Sequence, residues 1–195
     1  MCSSDLAPVV AACLAAAEDT GASGDAFLRA VIVGYEISTR IGGAMGRAHY
    51  RFWHSTGTIG TFGAAAGAAY LYGLDETGIA HALATAATFA AALQQAFRSD
   101  SMSKPLHAGR AAEGGLVAAL GAREGITGAL DVLEGEFGFG RAMSGNPDWE
   151  SGLATLGREF NIGRMTVKNH ACCGHTFAAI DGALAAQTEI GRAHV

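Results

Sequence analysis

The sequence predicts a mainly α protein: an Ala/Gly-rich helical domain of six or seven helices over residues 7–160, then the first βα unit of a smaller α/β domain over 161–188. Three observations carry this. Apolar residues recur at helical spacing, as at positions 27, 28, 31, 32, 35 and 37. Helix punctuation separates such stretches, with Gly73 and Gly125 at stops and Ser, Thr, Asp or Pro at starts. Past residue 160 the period is lost, and "FNIGRMTVKNHA" brings in β-branched residues.

The elements follow in order. A first helix spans Pro8 to about Asp19 and is broken by "TGASG". Residues 25–41 form the second, with Ser23 or Asp25 as cap. "GGAMGRAHYRFWHSTG" (42–57) has no clean period and reads as a loop. A helix then runs from Thr56 or Thr58 to Tyr72, and another from Asp75 or Thr77 to Leu93. "QQAFRSDSMS" (94–103) is a polar connection, after which Pro105 fits the first turn of a helix reaching Arg123. Thr127 caps a short helix through Leu133, "EGEFGFGRAMSGNP" is a loop, and "DWESGLATL" is another short helix. A strand at 163–168 and a last helix at 175–188 complete the chain.

The two ends, "MCSSDL" (1–6) and "EIGRAHV" (189–195), back-translate to nearly reverse-complementary DNA resembling a sequencing adapter. They are expected to be adapter-derived, which makes the chain a fragment open at both ends and removes Cys2 and His194 from consideration.

Net charge is −5 and the thirteen basic residues are scattered. That argues against a nucleic-acid surface, which needs a basic patch or stripe, but leaves room for a small anion. No stretch reads as a secretory signal, and the most apolar stretch (56–73) is too rich in Gly and Thr to span a membrane. Its Gly63-x-x-x-Gly67 pattern reads as close packing of soluble helices, and the location expected is the cytoplasm. Cys172 and Cys173 are adjacent, so they do not suggest a disulfide framework or a zinc site; no metal is expected, and they read as small buried hydrophobes.

Three constellations carry chemistry. In "SKPLHAGRAAEGG" (103–115), Lys104 and His107 stand at a helix N-terminus, where free N–H groups and the dipole favour an anion. The plain alternative is a solvated basic helix start. However, the chain has only two lysines, and a compact titratable amine differs from a guanidinium. The second lysine, Lys168, lies in "TVKNHACCGHT" with His170 and His175. In "HYRFWHSTGTIG" (49–60), His54 precedes Ser55, Thr56 and Thr58 at another helix start; an aromatic-anchored loop with a capping hydroxyl explains it as well. His81 lies mid-helix among apolar residues and reads as structural. Cations that hold carboxylates, beside a group titrating near neutrality, suit acid–base work on a polycarboxylate.

At these motifs the chain resembles the MmgE/PrpD family, which includes 2-methylcitrate dehydratase and cis-aconitate decarboxylase. The likeness is carried by "GYEISTRIG" (34–42), "FWHSTGTIGTFGAAAGAAYLYGL" (52–74), "SKPLHAGRAAEGGLVAAL" (103–120) and "VKNHACCGHTFAAIDGAL" (167–184), and it extends over residues 7–188. It implies a helical domain with an α/β lid, a homodimer, and lyase or isomerase chemistry on small tricarboxylates without a cofactor. By motif, His54, Lys104 and His107 match catalytic positions, while Lys104, Lys168 and His175 match substrate-binding ones. The family also uses an upstream acidic residue and a His-containing loop that this chain does not include, so the chain alone is expected to be inactive or nearly so. A non-enzymatic carboxylate-binding or helical dimerisation module is the alternative.

Overall fold

A computed structural model describes residues 7–166 and 168–190. Its described residues form eight α-helices: α1 (Ala7–Thr20), α2 (Gly24–Tyr50), α3 (Ser55–Leu71), α4 (Glu76–Phe89), α5 (Lys104–Arg123), α6 (Phe139–Met143), α7 (Trp149–Leu153) and α8 (Phe177–Ile190). Local punctuation explains most boundaries. Ser23 accepts a hydrogen bond from Ala26 N at the start of α2, and Asp75 accepts one from Gly78 N at the start of α4. Gly73 and Gly125 take positive φ just past α3 and α5, the left-handed stop that glycine adopts at least cost.

Helix α3 is the axis of the bundle, with Thr56 to Ala69 all buried. Helices α1, α2, α4 and α5 pack around it. Such a helix needs neighbours that approach closely, and glycine permits this. A Cβ on Gly63 would stand 2.5 Å from Gly34 O on α2, and a Cβ on Gly115 of α5 would stand 2.6 Å from Ala65 N. The large side chains of the core, Met45, Ile59, Phe62 and Phe139, gather at one side of α3. No helix among the described residues is long and apolar enough to cross a membrane.

Three expectations are corrected. First, residues 42–50 are helical rather than loop: α2 continues to Tyr50 with a break at Gly46 (φ 61°, ψ −162°). Burial of Ile41, Ala44, Met45 and His49 stabilises the extra turns. Second, the stretch expected to be helical at 127–133 is irregular over 127–129 and turn over 130–133, and a helix forms instead at Phe139–Met143. Gly128 lies tight against the backbone of Ala84 and Thr85, and Phe139 N bonds back to Val132 O, so this stretch is folded onto α4 and the core.

Third, no strand forms at the described positions of 163–168. Asn161–Arg164 is a 3-10 turn, and Met165 is extended without a ladder partner among the described residues. A strand needs such a partner to satisfy its backbone. Val167 lies outside the described residues, as do 1–6 and 191–195.

A buried ion pair fastens the segment after α7 to the bundle. Arg40 Nε donates to Glu36 Oε1 at 2.7 Å, and its remaining N–H groups reach Gly152 O, Thr155 Oγ1 and Glu159 O. Glu36 Oε2 in turn accepts from Asn161 N at 2.8 Å. Both side chains are buried, and every guanidinium direction is used.

Candidate active site

Two helix starts meet at one place. His54 is the residue before α3, and its backbone N–H donates to Ala92 O at 3.0 Å. Gln94 N donates to Phe52 O at 2.9 Å, so residues 52–54 and 92–94 form a short antiparallel bridge. The bridge fixes His54 beside the first turns of α5, where Lys104 and His107 lie one turn apart. Gly57 makes the approach possible: a Cβ there would stand 3.2 Å from His107 Cβ.

The outcome is a direct contact between His54 Nδ1 and His107 Nδ1 at 2.9 Å. Two ring nitrogens this close share one proton, one donating and the other accepting. Burial, with the nearby His107 and Lys104 charges adding, lowers the His54 pKa to about 4. Burial and then Lys104 also lower His107. Both rings are therefore neutral near pH 7. The ring with its proton on Nδ1 has a free Nε2 lone pair, and the other ring carries Nε2–H. The pair thus offers one base and one acid.

Lys104 Nζ sits 4.6 Å from the centroid of Phe97, and no carboxylate among the described residues pairs with it. Phe97 also meets His54 edge-on at 4.6 Å. His107 opens onto a cleft of about 380 Å³ lined by Leu93, Ser99, Ser101 and Ser103 among others. Cation, paired imidazoles and hydroxyls can hold an anion and move a proton.

A larger cleft of about 460 Å³ lies between α2 and residues 151–166 and touches the start of α3 at Ser55. It holds none of His54, Lys104, His107, Lys168 and His175. Its most buried cation, Arg40, has its donors already occupied.

The structure joins His54, Lys104 and His107. It does not bring Lys168 or His175 into contact with them: Lys168 Nζ donates to Cys172 O at 3.1 Å, and His175 Nδ1 lies 3.3 Å from Cys173 Sγ. His170 pairs with Asp181 at 2.7 Å. Arg110 is exposed and paired with Glu113. His81 is mid-α4, its Nδ1 buried without a hydrogen-bond partner among the described residues.

Phe97 was not apparent from sequence; its only signal was an aromatic in an otherwise polar connection directly before the lysine motif. His49 was passed over as well. It is buried, its Nδ1 3.2 Å from Met143 O and its Nε2 2.8 Å from Thr58 Oγ1, whose hydroxyl donates to His54 O, which makes His49 a support for the site.

The chain matches the family model for the MmgE/PrpD N-terminal domain over residues 4–152. It is 34% identical over 168 residues to a cis-aconitate decarboxylase-like protein of Aspergillus oryzae, covering 82% of this chain and 35% of that one. It is 40% identical over 88 residues to cis-aconitate decarboxylase of Homo sapiens, covering 45% and 18%. The cis-aconitate decarboxylase of Aspergillus terreus is 31% identical over 161 residues, covering 78% and 33%. The chain spans about a third of the length of the two Aspergillus relatives. A match over most of the chain, together with relatives of one kind, identifies it as a member of the MmgE/PrpD family, matching that family's N-terminal domain.

Proposed function

We propose that the chain carries part of the active site of a lyase acting on a small tricarboxylate of the cis-aconitate or 2-methylcitrate type, by acid–base decarboxylation or dehydration without a cofactor. The observation that carries this is the His54–His107 pair beside Lys104 at the start of α5. The relatives' names support it, since two are cis-aconitate decarboxylases and the third is a cis-aconitate decarboxylase-like protein.

Lys104 holds one carboxylate of the substrate, and Lys168 and His175 hold another when residues 168–175 face it. The paired imidazoles handle the proton. In decarboxylation, CO2 leaves with its bond electrons left on carbon, and Nε2–H supplies the proton that quenches them. In dehydration, the free Nε2 takes the C–H proton and Nε2–H delivers one to the departing hydroxide. Both need the same two groups, one protonated and one not. The complete protein is taken to be a cytoplasmic homodimer, as the family resemblance implies, and this chain alone to turn over little or nothing.

Calorimetric titration of cis-aconitate into the chain tests the binding half. Lys104→Ala is expected to weaken it on the order of tenfold or more, as loss of a charge-assisted contact does. Unchanged affinity in both Lys104→Ala and Lys168→Ala would overturn the carboxylate reading. In a complete protein that carries this chain, release of CO2 from cis-aconitate and loss of water from 2-methylcitrate distinguish the two reactions. Binding without either would leave a carboxylate-binding module.

A further inference from the structure

We propose that Cys172 and Cys173 form a redox-active vicinal dithiol, in which Cys173 is the attacking thiol, His175 its base and Cys172 the resolving thiol. This goes beyond the polycarboxylate reading and does not depend on it. Both thiols are free and only partly buried. Cys173 Sγ lies 3.3 Å from His175 Nδ1, within reach for its S–H to donate to the ring. Cys173 also leads directly into the turn Gly174–Thr176 that opens α8, and that turn sets His175, two residues on, beside its sulfur. Cys13 is a contrast: it is fully buried, and burial pushes its thiol up to about 12, so it does not compete.

The chemistry balances with hydrogen peroxide as oxidant. His175 takes the Cys173 proton, and the thiolate attacks one peroxide oxygen. The O–O bond breaks, and the departing hydroxide recovers the proton as water, leaving a sulfenic acid. Cys172 sulfur then attacks the Cys173 sulfur, the S–O bond breaks, and hydroxide leaves with the Cys172 proton as a second water. Two thiols lose two electrons and one peroxide becomes two waters.

Adjacency decides what kind of disulfide results. Consecutive Cα atoms are ~3.8 Å apart, below the usual 4.4–6.8 Å span of about 5.5 Å for a bridged pair. The eight-membered ring is therefore strained and readily reduced, which marks a reversible switch rather than a staple. Ring closure also displaces the Cys172 carbonyl that Lys168 holds at 3.1 Å.

The test uses the whole chain treated with a small excess of hydrogen peroxide, then digested with trypsin without reduction. Cleavage after Lys168 and Arg192 gives one peptide, Asn169–Arg192, that contains both thiols and no other cysteine. Its mass is expected to fall by two hydrogens and to recover with dithiothreitol. Cys172→Ser should abolish the loss and leave a sulfenic acid that dimedone traps. His175→Ala should slow Cys173 alkylation by iodoacetamide on the order of tenfold, less than an enclosed general base contributes because this pair faces solvent. Two thiols still alkylatable after peroxide, a gain of two oxygens as sulfinic acid, or a bridge joining two chains would each overturn the dithiol. An unchanged alkylation rate in His175→Ala would remove His175 from the role of base.

Discussion

Helices α3 and α8 are alike in sequence and opposite in fate. Both are rich in alanine, with one or more glycines and few charges. In α3 every residue from Thr56 to Ala69 is buried; in α8 no described residue is. The difference lies in what small residues are placed against. Gly63 faces Gly34, Gly67 faces Cys13 and Ala30, and Gly57 faces Ala92 and His107, so the glycines of α3 sit where other chain segments press closest. A Cβ on Gly182 of α8 would meet nothing within 4 Å. Alanine content alone does not bury a helix; glycines aligned to neighbouring backbones do, because dispersion and hydrophobic gain need close approach.

The same contrast separates the two Lys–His clusters. His54 and His107 lie where α3 enters its packed environment and are held rigidly. Lys168, His170 and His175 lie on the lightly packed stretch leading to α8, held by bonds within residues 168–181.

The joint between the two regions gives the largest expected effect. Arg40→Met leaves Glu36 buried without its cation and frees Gly152 O, Thr155 Oγ1 and Glu159 O. Breaking a buried pair from one side costs about 3–5 kcal/mol. A urea unfolding series should read that loss, with residues 152–161 becoming open to hydrogen exchange before the bundle does. The double change Glu36→Leu/Arg40→Met should recover much of the loss, because no buried charge is then left unpaired. If the single and double changes cost the same, the pair is not the joint.

The second effect depends on pH. The His54 pKa is about 4 in the fold because burial disfavours its charged form, against an ordinary value of 6.5. Above pH 6.5 both folded and unfolded states are neutral and nothing is lost. As pH falls from 6.5 towards 4, the unfolded chain binds a proton that the folded chain refuses, so stability falls. A shift of this size is worth up to about 3 kcal/mol, complete near pH 4. His49 and His107, also lowered, act in the same direction. Urea midpoints measured from pH 7.5 to 4.5 should drop steadily in the wild type and more shallowly in His54→Gln. An equal slope would mean that His54 titrates as an exposed histidine does.

What could be read from sequence follows the range of the forces involved. Caps and stops act within one turn, so Ser23, Asp75, Gly73 and Pro105 marked their helices correctly. Lys104, His107 and His54 stood out because each sits at a helix start, and the structure brings those starts together. What depended on distant partners was hidden. The turns after Gly43 are helical because Ala44, Met45 and His49 are buried by the core, and nothing local in "GGAMGRAHY" announces that. Phe97 becomes a platform for Lys104 only through the bridge between residues 52–54 and 92–94. The strand expected near 163–168 had β-branched residues but no ladder to join among the described residues.

The smallest effects test the comparison of helices itself, with one substitution made in each. Gly63→Ala places a methyl against Ser38 Oγ and 2.5 Å from Gly34 O, so α2 and α3 must move apart. Overpacking of this kind costs about 1–3 kcal/mol, despite the better helix propensity of alanine. Gly182→Ala meets open space in α8, so only propensity acts, and the helix gains roughly 0.5–1 kcal/mol. The two readouts differ in kind. Gly63→Ala should lower the urea midpoint of the whole bundle. Gly182→Ala should leave that midpoint in place and slow hydrogen exchange only within residues 177–190. If both shifted the global midpoint, α8 would be packed as α3 is; if neither did, the glycines of α3 would not be what brings its neighbours close.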